Sequence, residues 1–153
     1  MTPRANIYAN SFDRVKPLID LSNTIEAQGL EKSLMELVKI RASQINGCAV
    51  CLHMHHRDAI KAGETELRIV MLDAWRESPL FSERERAALA WTEALTRVAE
   101  KGAPDELYEM LKANFTEEEQ VSLTLLIGVI NSFNRLNVGF AIPHPVSKQR
   151  QAA

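Results

Sequence analysis

In residues 36–56, ELVKIRASQINGCAVCLHMHH, apolar residues at helical spacing stand on both sides of Asn46-Gly47. That pattern predicts one helix ending near Asn46 and a second beginning near Cys48. The stretch holds both cysteines of the chain, Cys48 and Cys51, and three of its four histidines, His53, His55 and His56. On the second helix Cys48, Cys51 and His55 stand at i, i+3 and i+7. At about 100° per residue they share an arc of roughly 60° on one face. The first turn of a helix presents unpaired N–H groups and the positive end of the macrodipole, and both favour a thiolate over a thiol. The same spacing lets two sulfurs form a disulfide with little backbone movement. A histidine one turn beyond can relay a proton. These are the parts of a dithiol that cycles through oxidation.

Outward from this stretch the chain reads as helix throughout. A first amphipathic helix is predicted over Val15 to Gln28, with Pro17 in its first turn, after an irregular or extended N-terminus. A second covers Glu31 to Ile45 with Leu34, Leu37, Val38, Arg41 and Ile45 in its stripe. The cysteine helix ends at Gly63, and another follows from Glu66 to Arg76 with Thr65 as its cap. Ser82-x-x-Glu85 and Thr116-x-x-Glu119 are capping boxes, opening helices over 83–100 and 117–138, with a short helix over 105–113 between them. Pro143 and Pro145 end regular structure, and the final SKQRQAA is expected to be disordered. No segment alternates as a strand does. The expectation is one all-α domain of about seven helices over residues 1–153, with its core over 15–138.

With 153 residues and a quarter of them charged, the chain is long enough for a sizeable core and reads as soluble and globular. Its formal net charge of −2 with interspersed signs excludes the basic footprint of a nucleic-acid binder. No uninterrupted apolar run reaches the ~18 residues expected of a membrane span, and the N-terminus lacks the apolar core of a secretory leader. A cytoplasmic location is expected. In a reducing compartment a C-x-x-C pair is catalytic or metal-binding more often than a structural staple.

Two rivals to a redox reading stand in the sequence. Both cysteines could be buried as small hydrophobes. Cys48, Cys51 and His55 or His56 could also supply three zinc ligands, but a closed site needs a fourth. His53 projects roughly 160° from His55 and His56 about 100°, so both read as structural or surface residues, as does His144 in its Pro-flanked segment. Glu36, Arg41 and Glu31 are anonymous by spacing. Glu36 alone reads as a solvated face residue, although crossing helices could bring its carboxylate to His55. Asn131, Asn134 and Asn137 of the last helix, buried among apolar neighbours, read as structural amides. Leu123 to Ile130 reads as core.

Glu36, Ile45-Asn46-Gly47-Cys48-Ala49-Val50-Cys51 and His55 together resemble the alkylhydroperoxidase D-like branch of the carboxymuconolactone decarboxylase family. That pattern is a glutamate, C-x-x-C twelve residues later, and a histidine four residues after the second cysteine; all its positions are filled here. AGETELRIVMLDAWRESPLFSERERAALAWTEALT and FTEEEQVSLTLLIGVINSFNRLNV are similar to smaller family members. The resemblance implies an all-helical homo-oligomer, a trimer or hexamer, with thiol-dependent peroxidase activity. It implies Cys51 as the peroxidatic nucleophile, Cys48 as the resolving cysteine, and His55 with Glu36 as a proton relay acting through water. In the peroxidase branch a histidine often precedes the second cysteine; Val50 stands there in this chain. Decarboxylase members do not depend on C-x-x-C, which argues against lactone decarboxylation.

The expected activity is reduction of hydrogen peroxide or an organic hydroperoxide, with no bound cofactor. The expected partner is an external thiol reductant of lipoyl or thioredoxin type. The alternative is a redox-sensing or disulfide-exchange module built on the same dithiol.

Overall fold

The structure is a computed structural model that describes residues 2–145. Among them the chain forms nine α-helices and one 3-10 turn, and no strand. The helices are α1 (Ile7–Asn10), α2 (Phe12–Glu26), α3 (Lys32–Asn46), α4 (Ala49–Lys61), α5 (Glu66–Met71), α6 (Glu83–Thr96), α7 (Val98–Lys101), α8 (Asp105–Asn114) and α9 (Glu117–Gly139). The predicted caps hold. Thr65 accepts from the Arg68 N–H, and Ser82 with Glu85 and Thr116 with Glu119 form reciprocal boxes.

α3 and α9 are the central pair, with α6 packed against both. Leu34, Met35 and Val38 of α3 meet Ala88 and Trp91 of α6 and Leu123, Leu126 and Ile127 of α9 in the larger core. The opposite side of α3 offers Leu37 and Ile40 to Ala59 of α4, Leu72, Trp75 and Leu89. α3 is therefore buried on both sides, which puts its polar residues Glu36, Lys39 and Arg41 inside the protein. Arg41 is satisfied there by Glu93 at 2.8 Å and by Asp73. Glu93 also accepts from Trp75 and Arg76.

Four elements differ from expectation. The N-terminus is irregular only as far as Asn6. Asn6 caps the short helix α1, Ile7 is buried, and Tyr8 reaches across to Asn137 of α9 at 2.8 Å. Once α1 is docked, α2 starts three residues earlier than Val15, so Pro17 lies inside it. The helix expected to reach Arg76 tightens after Met71 into a 3-10 turn, Leu72–Ala74, as Leu72 and Trp75 enter the core. The helix expected to run to Glu100 is interrupted at Arg97, next to Thr96, whose hydroxyl accepts from Asn131 of α9. The expectation for SKQRQAA falls outside the described residues.

At 23 residues with a mean hydropathy of 1.2, α9 has the length and composition of a membrane span. Its apolar face is instead the seat of the core, and Asn131, Asn134 and Asn137 are buried along it against protein partners.

Candidate active site

The site begins at the corner between α3 and α4. Gly47 takes the left-handed conformation, φ 66° and ψ 34°, which an L side chain adopts only at a cost. Its N–H bonds the Gln44 carbonyl and the Cys48 N–H bonds the Ser43 carbonyl at 3.0 Å, so the end of α3 is satisfied as the chain turns. The Asn46 amide donates to the Asn131 and Asn134 side-chain carbonyls at 2.9 and 2.8 Å, and Asn134 donates to Ser43 at 3.0 Å. The corner is thereby fastened to α9. A Gly47→Ala chain should still fold, because an added β-carbon meets nothing within 4 Å. It should lose about 1 kcal/mol through the left-handed backbone alone. A urea denaturation midpoint checks this.

Cys48 caps α4, and Cys51 lies in its first turn. The sulfurs form a disulfide, with the α-carbons 5.4 Å apart. Both residues are buried, at 1% and 2% exposure, beneath Val50 and Ile142. Of the two, only Cys51 lines a cavity of about 860 Å³. Apolar side chains of α9, among them Leu126, Ile130 and Phe133, form one wall, and His55 and Glu36 stand on the same cavity.

His55 Nδ1 lies 2.8 Å from Glu36 Oε2. The other carboxylate oxygen accepts from Lys39 Nζ at 2.9 Å, and Lys39 also donates to Glu26 at 2.5 Å. Glu36 is 3% exposed and Lys39 5%. Burial pushes the Glu36 carboxyl up, but the His55 hydrogen bond and the Lys39 charge outweigh it and hold the group below the ordinary carboxylate range. Burial likewise pulls Lys39 down, and the charge of Glu36 with the bonds to Glu26 and Glu36 more than restores it. Both groups are therefore ionised at neutral pH. A carboxylate only accepts, so His55 Nδ1 carries a hydrogen, and in the neutral ring the lone pair is left on Nε2. The Glu26–Lys39–Glu36–His55 line sets the tautomer a proton acceptor needs.

Of the four residues singled out from the sequence, Glu36, Cys51 and His55 line one cavity, and Cys48 is bonded to Cys51 beside it. Glu36 is buried and is not a solvated face residue, because α3 packs on both sides. Lys39 was missed, although its place three residues after Glu36 is the spacing of a helical ion pair. Asn137 was read as structural, and its Nδ2 lies 3.3 Å from Cys51 Sγ. No sequence signal marks that contact across 86 positions. His53, which helical spacing set apart from His55, lines the same cavity and stacks on His144 with ring centroids 5.7 Å apart. His56 meets Glu66 at 2.9 Å on the surface. Among the described residues no group of three or more His, Cys, Asp or Glu is placed to hold a metal ion.

The sequence profile of the carboxymuconolactone decarboxylase family matches residues 18–94, which include the whole α3–α4 corner. YdfG of Bacillus subtilis (strain 168), an uncharacterised protein, is 41% identical over 138 residues, or 90% of this chain and 94% of YdfG. The chain belongs to the carboxymuconolactone decarboxylase family. Within that family it sits in the alkylhydroperoxidase D-like branch. A crystal structure from Agrobacterium tumefaciens superimposes with a TM-score of 0.92 at 44% identity, covering 95% of this chain and all of the other. That protein is of unknown function and has been assigned to antioxidant defence as an AhpD protein. The debrominase Bmp8 shares the fold at a TM-score of 0.81 and 19% identity, over 90% of this chain and 74% of its own.

Proposed function

We propose that this member of the carboxymuconolactone decarboxylase family is a peroxide-reducing dithiol enzyme in which Cys51 attacks and Cys48 resolves. The reading is carried by one observation: Cys51, at the start of α4, opens onto the same cavity as His55, whose tautomer Glu36 fixes. A family that includes decarboxylases and a fold that also hosts a debrominase do not choose the reaction. The C-x-x-C disulfide beside an oriented histidine favours thiol redox chemistry.

The cycle starts from the dithiol. His55 Nε2 takes the Cys51 proton, acting through water. The Cys51 thiolate attacks the terminal peroxide oxygen, the O–O bond breaks, and an S–O bond forms. The leaving alkoxide collects the proton held by His55 and departs as an alcohol, or as water when the substrate is hydrogen peroxide. Cys51 is left as a sulfenic acid, oxidised by two electrons. The Cys48 sulfur displaces that oxygen as water and forms the disulfide. An external dithiol of lipoyl or thioredoxin type then restores both thiols by exchange, taking the disulfide itself. The apolar wall favours an organic hydroperoxide over hydrogen peroxide. Assembly as a homo-oligomer, a trimer or hexamer, and a reducing cytoplasmic setting complete the proposal.

Steady-state peroxide consumption with a panel of dithiol donors tests it. The expected result is turnover with at least one lipoyl- or thioredoxin-type donor, faster with organic hydroperoxide. A disulfide that every donor reduces and no peroxide re-forms would favour the alternative, a redox-sensing or disulfide-exchange module.

A further inference from the structure

The amide of Asn137 lies between two groups that fix its orientation. Its Oδ1 accepts from the Tyr8 hydroxyl at 2.8 Å, and its Nδ2 donates to Cys51 Sγ at 3.3 Å. A flipped amide would turn Oδ1 toward a sulfur that carries no hydrogen as disulfide or thiolate, and two acceptors would then face each other. It would also force the phenol to rotate its hydrogen away and accept instead. Only a protonated Cys51 could give the flipped amide a donor. Tyr8 opposes that state, because its hydroxyl hydrogen is committed to Oδ1. Burial pushes the phenol up from its ordinary value and outweighs the opposing Asn137 contact, so Tyr8 stays a donor at neutral pH.

We propose that Asn137 is a catalytic residue that donates an N–H to the Cys51 thiolate, and that Tyr8 is a positioning residue that locks the amide in the donating orientation. The proposal rests on Cys51 being the attacking cysteine. It adds to the histidine relay a neutral donor carried by α9. Hydrogen bonds to ionised acceptors are stronger than those to neutral ones, so the amide favours thiolate over thiol. The ionisable groups that line the cavity with Cys51 are Tyr8 of α1, Glu26 of α2, Lys32, Glu36 and Lys39 of α3, and His53, His55, Arg57, Asp58 and Lys61 of α4. From α9 itself the neutral Asn137 meets the sulfur. The network also gives α1 a task. It docks against the end of α9 to deliver one hydroxyl, while Arg4 ties the chain just before it to the Phe140 and Gly139 carbonyls.

The chain has two cysteines, so in a Cys48→Ser background Cys51 is the sole thiol and its titration is read without interference. Thiolate absorbance and the pH dependence of iodoacetamide alkylation should be followed for that parent, for added Asn137→Leu and for added Tyr8→Phe. Losing a charge-assisted hydrogen bond should slow alkylation below the thiol pKa about tenfold in Asn137→Leu, with the titration midpoint moving up by about one unit. Tyr8→Phe removes one oxygen and should show a smaller shift in the same direction. If Asn137→Leu does not fold, Tyr8→Phe decides alone. Superimposable titrations for parent and folded variants would overturn the proposal. None of these readings uses peroxide, so a chain that shows the shift but no peroxidase turnover would fail the functional reading and keep this one. Turnover with no shift would do the reverse.

Discussion

A reduced Cys48→Ser chain is expected to consume one equivalent of peroxide and stop, whereas a Cys51→Ser chain consumes none. The asymmetry follows from the site. Cys51 lines the cavity, shares it with His55 and receives the Asn137 donor, while Cys48 does not line the cavity and serves as the N-cap of α4. Without Cys48, attack and O–O cleavage still proceed, but the sulfenic acid at Cys51 has no resolving thiol. Mass spectrometry should find that chain one oxygen atom heavier at Cys51, and a dimedone-type probe should label it there. Without Cys51 the nucleophile is gone, and the rate should fall on the order of 10⁴-fold or more, the scale of losing a covalent nucleophile. Labelling of Cys48 in the Cys51→Ser chain, with an inert Cys51 in the other, would reverse the assignment.

The second large effect belongs to the buried ion line. Replacing Glu36 by Gln keeps the shape and removes the charge. Lys39 keeps Glu26, whose side chain is 38% exposed, but loses its buried partner at 2.9 Å. Breaking one side of a buried pair costs about 3–5 kcal/mol, and the surviving Glu26 contact places this variant near the lower figure. A urea denaturation midpoint reads that loss. The pH dependence has a definite sign. The folded pKa of Glu36 is depressed, so its contribution is complete above the unfolded value and is lost as pH falls through the folded one. Wild type should therefore lose stability on acidification below the ordinary carboxylate range, and Glu36→Gln should show a shallower loss there. Lys39 is raised, so its contribution is complete below its unfolded value and fades as pH climbs through its folded one. Parallel acid limbs for the two chains would contradict the ionised assignment. Glu36→Gln should also cut peroxide turnover, because an amide can offer His55 either a donor or an acceptor and no longer fixes its tautomer.

The sequence was most legible where local chemistry decides structure. Asn46-Gly47 marked the corner, the two capping boxes marked α6 and α9, and the C-x-x-C-x-x-x-His spacing placed Cys51 and His55 on one helix. It was least legible where tertiary contacts decide. Glu36 looks solvated from spacing because nothing local reveals that α3 is enclosed by α4, α6 and α9. Lys39 goes unremarked for the same reason. The N-terminus carries few helix signals beyond Asn6, and α1 is held by contacts with the far end of the chain, among them Tyr8 to Asn137 and Arg4 to Phe140. Asn137 shows the limit most clearly. A polar residue on an apolar helix announces that it needs partners, but not that one of them is the sulfur of Cys51.

The most direct measurement of the central claim is a single turnover. Fully reduced wild-type protein is mixed rapidly with excess organic hydroperoxide in the absence of any donor, and alcohol and free thiols are counted per chain. The account predicts one alcohol formed, two thiols lost and an intramolecular Cys48–Cys51 disulfide, at a rate far above that of free cysteine. Intact thiols and no alcohol, in a protein whose disulfide otherwise forms and reduces cleanly, would contradict it.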